Sequence, residues 1–80
     1  MNVSEIRKMT QLSMEELDQM EAAILEQLAG DEDANDLAEL GDQMTTILGA
    51  KRIILHANSE GISIQESLRH FIKSVRDIIN

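Results

Sequence analysis

Residues 36–58 read DLAELGDQMTTILGAKRIILHAN, and this stretch decides the fold. At about 100° per residue, its apolar side chains cover well over half of a helix circumference. They are Met44, Ile47, Leu48, Ala50, Ile53, Ile54, Leu55 and Ala57. A helix that is apolar over so much of its surface has neighbours on more than one side. The pattern therefore predicts a central helix from about Asp36 to Asn58.

The residues before this stretch predict two further helices. Apolar residues recur every three positions near the start, at Val3, Ile6 and Met9, which indicates a short N-terminal helix. Ser13 and Glu16 form a capping box that starts a second helix, and we expect Gly30 to end it in a left-handed conformation. The buried face of this helix is expected to contain Met14, Leu17, Met20, Ile24, Leu25 and Leu28.

The residues that follow predict a last helix. Asp36 and Glu39 can cap the central helix reciprocally, and Gly61 lies where it ends. Ser63 and Glu66 repeat the capping box and open the last helix. Its apolar residues share one arc: Ile64, Leu68, Phe71, Ile72, Val75, Ile78 and Ile79. The sequence thus predicts an all-α fold, a small bundle of three main amphipathic helices plus a short N-terminal helix, in one domain over residues 1–80.

Composition limits the size and chemistry of the core. The chain has 80 residues, no cysteine and one aromatic residue, Phe71. Disulfides and thiolate zinc sites are therefore excluded, and the core is aliphatic. A chain of this size gains only about 3–5 kcal/mol from its core, so self-association into a homo-oligomer is an expectation. No apolar run approaches the roughly 20 residues of a membrane span, and we expect a cytoplasmic protein without a membrane partner.

Charge is distributed unevenly along the chain. The net charge is −8, and residues 1–48 hold twelve acidic residues against two basic ones. Such a chain repels nucleic-acid phosphates overall, so nucleic acid is a poor candidate partner. A protein with a basic surface fits better, because opposite potentials speed encounter and disfavour wrong partners.

Residues 31–42, DEDANDLAELGD, resemble a calcium-binding loop of the EF-hand type. The candidate metal ligands are Asp31, Asp33, Asn35, Glu39 and Asp42. The sequence has Asp36 where the loop needs glycine for a sharp turn, and Asp42 is shorter than the usual bidentate glutamate. The alternative interpretation is a solvated acidic segment that leads into a helix N-terminus, where the helix dipole favours acids. Apart from this weak cation site, no metal and no cofactor is expected.

Two charged residues fall on faces that are otherwise apolar. Lys51 lies within the arc of the central helix, and Glu21 lies within that of the second helix. A buried charge is tolerated when it is paired, so one hypothesis is that Glu21 and Lys51 meet between these helices. Lys51 could instead bury its stem and keep its ammonium in water, or it could line a pocket for an acidic ligand or partner.

The remaining polar candidates are basic residues and histidines. Arg69, Lys73 and Arg76 form a basic stripe on one face of the last helix, suited either to phosphate contacts or to complementing the helix dipole. His56 and His70 belong to different helices without metal-ligand spacing, and we expect both to be exposed. We identify no catalytic residue, because no histidine has a partner at the spacing of a nucleophile or a base.

Four segments resemble a known family: IRKM near the start, SMEELDQMEAAILE, LGDQMTTILGAKRIIL and LRHFIKSVRDII. In their order they are similar to a family of short bacterial all-helical proteins of unknown function. The resemblance implies a helical fold and carries no catalytic or binding residue. Together with the charge pattern, it favours a non-enzymatic protein–protein interaction module, in which Glu21, Lys51, Arg69, Lys73 and Arg76 are the candidate interaction residues.

Overall fold

The computed structural model describes residues 2–30 and 33–79, and it is built from helices. In chain order these are α1 (Val3–Met9), α2 (Met14–Gly30), α3 (Ala34–Glu60) and α4 (Ile64–Ile79). No strand occurs among the residues described. The prediction of an all-α bundle with a short N-terminal helix is confirmed.

Serine hydroxyls cap the N-termini of α2 and α4, as the capping boxes predict. The Glu16 amide donates to Ser13 Oγ at 3.1 Å, and the Glu66 amide donates to Ser63 Oγ at 3.1 Å. Each bond satisfies one of the amides that a helix N-terminus leaves without a partner. Because serine supplies this acceptor in both cases, the two starts lie where the sequence places them.

The boundaries of α3 extend beyond the predicted range. Asp33 is the N-cap, and its carboxylate accepts from the amides of Asn35 and Asp36. The prediction that Asp36 caps the helix is wrong, since Asp33 already supplies an acceptor one turn earlier. At the other end, Gly61 adopts the left-handed conformation with φ 65° and donates to the Ala57 carbonyl.

The predicted left-handed stop at Gly30 is also wrong. Gly30 is the last residue of α2 and does not have a positive φ, whereas Gly61 does. Glycine favours the left-handed conformation without requiring it. The identity of the residue therefore did not determine its backbone conformation here.

Helix α3 contributes to two clusters of buried hydrophobic residues, and Ile64 of α4 packs against both. On one side it packs against α2, and this cluster contains Leu17, Ile24, Leu40, Ile47, Ala50 and Ile54. On the other side Ile53 packs against Ile6 of α1 and Leu68 of α4. The prediction that the central helix has neighbours on more than one side is thus confirmed, and the two contacts explain its wide apolar arc.

The bundle is flat. Its principal dimensions are 41 × 33 × 17 Å, because α1, α2 and α4 lie beside α3 and pack mainly on it. One strip of α3 therefore stays in solvent, and three leucines predicted to be buried are exposed: Leu25 at 54%, Leu48 at 48% and Leu55 at 56%. Among the described helices, none is long and apolar enough to cross a bilayer.

Candidate functional site

The ammonium group of Lys51 bonds to two carboxylates of α2. Its Nζ contacts both Glu21 and Asp18, and the Lys51 side chain is only 14% exposed. The structure brings Lys51 and Glu21 together, as the pairing hypothesis requires. Asp18 was not anticipated, although it lies one helical turn before Glu21 and therefore on the same face.

These contacts change the ionisation of Lys51. The hydrogen bond to Asp18 raises the pKa of Lys51 above its ordinary value of 10.5, and the hydrogen bond to Glu21 raises it further. Desolvation lowers this pKa by a smaller amount. The ammonium is thus held in its charged form by two groups of this chain. One positive and two negative charges leave the cluster acidic.

The three exposed leucines lie on the same sides of α2 and α3 as this ion cluster. Leu48 precedes Lys51 by three residues and Leu55 follows it by four, so both lie on its side of α3. Leu25 follows Glu21 by four residues and lies on the matching side of α2. We call Leu25, Leu48 and Leu55 the leucine face; it consists of three exposed apolar side chains on the side of the α2–α3 pair where Lys51 is paired with two acids.

The predicted calcium loop does not form as a loop. Asp33 caps α3, while Asn35, Glu39 and Asp42 lie within that helix. Asp31 lies outside the described residues. In the part of the chain that the structure describes, no three His, Cys, Asp or Glu side chains come close enough to hold a metal ion. The interpretation of residues 31–42 as an EF-hand-type loop is wrong from residue 34 onward, because α3 lays Asn35, Glu39 and Asp42 out along one face, with Asn35 and Asp42 about 10 Å apart along the axis, instead of wrapping them around one ion.

The basic stripe on α4 is exposed at all three positions, Arg69, Lys73 and Arg76. Arg69 lines a groove of about 590 Å³ between α1 and α4, with Arg7 also on its wall. Lys51 takes no part in this surface, because its ammonium bonds to acids of α2. The stripe is therefore open to solvent, and its capacity to bind phosphates can be measured by a gel-shift experiment at low salt.

A polar chain crosses the contact between α3 and α4. Ser67 Oγ donates to the Ile53 carbonyl at 2.6 Å and lies 3.0 Å from His56 Nδ1. The ring centres of His56 and His70 are 5.7 Å apart in an edge-to-face arrangement. His70 is exposed as expected, but His56 is half-buried and has a hydrogen-bond partner. Eleven residues separate His56 from Ser67, so no spacing rule within a helix could reveal this contact.

His56 and Ser67 do not form a nucleophile and its base. The Ser67 side chain is buried, with 1% exposure, and its only proton bonds to a backbone carbonyl. An activated serine instead gives its proton to the histidine and faces a substrate. The pair therefore joins two helices and leaves the outer part of the His56 ring available for other contacts.

Comparison with known proteins places the chain in a family. Over residues 1–80 it matches the model of DUF6952, a family of unknown function. The chain belongs to this family. Neither the curated proteins nor the solved structures gave a match. Membership in DUF6952 agrees with the resemblance found in the sequence, and it carries no activity, ligand or partner over to this chain.

Proposed function

We propose that this protein is a non-enzymatic protein–protein interaction module, and that its leucine face binds a partner protein with a basic surface. The observation that carries the proposal is the grouping of three half-exposed leucines on one side of the α2–α3 pair. Single exposed leucines are ordinary, whereas a contiguous apolar patch with a polar rim is typical of an interaction site.

The charges around the leucine face favour a basic partner. Asp18 and Glu21 lie on the same side of α2 as Leu25, and Glu15 and Glu26 are exposed on the neighbouring part of that helix. Two identical copies that met through this face would bring these acids together at a cost in Coulomb energy. A partner with lysine or arginine around an apolar centre would gain attraction from the same groups. Self-association remains a separate prediction, which sedimentation equilibrium can test.

The test is capture of partners by immobilised protein from an extract of the cell that makes it. We compare the natural chain with the double variant Leu48→Gln, Leu55→Gln. The matched control is Val3→Gln, which removes an exposed apolar side chain of α1, outside the leucine face. We expect the natural chain and the Val3 variant to retain the same protein, and the double variant to lose it.

Salt and composition give the second part of this test. The captured protein is expected to have a basic surface and to elute as sodium chloride screens the acidic rim. Capture of the same proteins by all three chains, or no saturable capture by the natural chain, would contradict the proposal. Circular dichroism of each variant checks that loss of capture is not loss of fold.

A further inference from the structure

We infer that His56 of α3 and His70 of α4 together bind a divalent transition-metal ion of the zinc, nickel or copper class. The first observation is the distance of 5.7 Å between the two ring centres. Imidazoles that share one metal ion at coordination angles of about 90–120°, each with a metal–nitrogen bond of about 2.0–2.1 Å, have their ring centres about 4.5–5.5 Å apart. The observed separation is within a few tenths of an ångström of that range, and the exposed His70 ring, which now meets His56 edge to face, would turn to aim a nitrogen at the shared ion.

The second observation fixes which nitrogen of His56 can bind a metal ion. Ser67 has a single hydroxyl proton, and it donates that proton to the Ile53 carbonyl. In the 3.0 Å hydrogen bond between His56 Nδ1 and Ser67 Oγ, the serine oxygen must therefore be the acceptor. The proton is then carried by His56 Nδ1. In the neutral ring, Nε2 is then the nitrogen with the lone pair. Metal-bound histidines are usually oriented in this way, by a hydrogen bond from the other ring nitrogen.

The third observation is the space around the two rings. His56 and His70 line the same cavity of about 290 Å³, which is large enough for an ion with its bound water. With two protein ligands, the other coordination positions would be filled by water. Imidazole nitrogen suits zinc, nickel and copper, whereas calcium and magnesium prefer oxygen ligands. The inference is thus restricted to the metals that bind histidine.

Arg52 also lines this cavity, and its charge opposes a bound cation. The residue is exposed, so its guanidinium group can turn toward water. Arg52 therefore offers a test of the site, because Arg52→Gln removes the repulsion between the guanidinium group and a bound cation and leaves both histidine ligands in place. Lys73→Gln removes the same charge from an exposed position of α4 that does not line the cavity.

The experiment is calorimetric titration of the untagged, metal-free protein with nickel chloride and with zinc chloride. We expect one ion per chain. His70→Gln and His56→Gln are each expected to weaken binding at least tenfold, because each removes one of two ligands. Arg52→Gln is expected to tighten binding severalfold, and Lys73→Gln to change it less. Nickel or zinc should also raise the melting temperature of the natural chain, since ligands of the folded state stabilise it.

Three results would overturn the inference. They are no saturable binding by the natural chain, unchanged binding in His70→Gln, and binding of several ions that neither histidine variant affects, which would indicate the surface carboxylates. Because His70 is exposed, its variant decides the question even if His56→Gln does not fold. The site lies on the α3–α4 side of the molecule, so its outcome is independent of partner binding at the leucine face.

Discussion

Ser67 lies in the buried hydrogen-bond chain that joins the backbone of α3 to the His56 ring. In Ser67→Ala the donor to the Ile53 carbonyl is lost, and the His56 Nδ1 proton loses its acceptor. We expect the free energy of unfolding to fall by about 1 kcal/mol, the net contribution of a typical hydrogen bond, because the Ile53 carbonyl keeps its partner within α3 and His56 is only half-buried.

Urea denaturation followed by circular dichroism measures this loss. Ser74→Ala is the matched control, because Ser74 lies two turns further along α4 and is exposed. Its effect should stay within about 0.5 kcal/mol. Equal effects of the two substitutions would show that the Ser67 chain does not stabilise the contact between α3 and α4.

Lys51 gives the stability a dependence on alkaline pH. Its pKa is raised in the folded protein above the ordinary value of 10.5, through Asp18 and then Glu21. A group of this kind contributes its full stability below pH 10.5, and the contribution is lost as the pH rises through the folded pKa. We therefore expect the urea midpoint of the natural chain to fall above that pH.

Denaturation curves between about pH 9 and about pH 12 test this expectation against the variant Lys51→Met. The variant should be less stable below pH 10.5, since Asp18 and Glu21 are left facing each other, and it should lose less stability above it. The chain has no tyrosine or cysteine, whose titration would overlap with that of lysine. Parallel pH profiles of the two chains would rule out a contribution from this cluster.

Some of these residue contacts could be predicted from the sequence, and others could not. Glu21 and Lys51 each interrupt an apolar face, and that shared irregularity indicated that they meet. Asp18 carried no such signal, because it lies at the exposed edge of that face, where an acid is ordinary. His56 and Ser67 belong to different helices, and their contact depends on how α4 is rotated against α3, which periodicity leaves open.

At the scale of the helices, substitutions at the start of α3 can distinguish its two candidate N-caps, Asp33 and Asp36. Asp33→Ala removes the carboxylate that accepts from the amides of Asn35 and Asp36. We expect a loss of about 0.5–2 kcal/mol in the free energy of unfolding, as for other N-caps. Asp36→Ala removes only a favourable charge in the first turn and should cost less. Urea denaturation of both variants decides the order, and a greater loss in Asp36→Ala would restore the boundary predicted from sequence.

Gly41 inside α3 and Gly61, the residue that caps its C-terminus, should respond to alanine with opposite signs. Gly61 has φ 65°, so Gly61→Ala places a Cβ in the left-handed conformation, at a cost of about 1–2 kcal/mol. Gly41 lies inside the helix, and a Cβ built there meets no atom within 4 Å. Gly41→Ala should therefore stabilise the protein by up to about 1 kcal/mol. Melting curves of the two variants should shift in opposite directions; a shift in the same direction would contradict this account.

Sequence reasoning located these helices better than it described their surroundings. Serine caps at Ser13 and Ser63 are local signals, and both starts were placed correctly. The exposure of Leu48 and Leu55 depends instead on where the neighbouring helices lie. The width of the apolar arc of α3 is compatible with either two or three neighbouring helices around it. In a flat arrangement, one edge of that arc stays in water. No pattern within a single helix contains this information.

At the scale of the whole molecule, charge works against folding. The net charge is −8 on a body only 17 Å thick, so like charges lie close together. Self-repulsion destabilises the compact state, and salt screens it. We expect the urea midpoint to rise as sodium chloride is increased from about 0.01 M to about 0.2 M, with most of the change at the low end.

The same titration with Lys51→Met separates attraction from repulsion. Without the lysine the ion cluster is purely acidic, so the rise with salt should be larger than in the natural chain. A midpoint that falls with salt in the natural chain would mean that attraction between opposite charges outweighs the self-repulsion.

The dependence of all three outer helices on α3 has a consequence for how such a protein can change over generations. Ile6 of α1 and Leu68 of α4 share one cluster on α3, whereas the buried residues of α2 belong to the other cluster, so α2 can be altered with the least effect on the fit of the remaining helices. A substitution in α3 must satisfy several neighbours at once. New binding properties can therefore be acquired more readily by substitution in α2 than in α3.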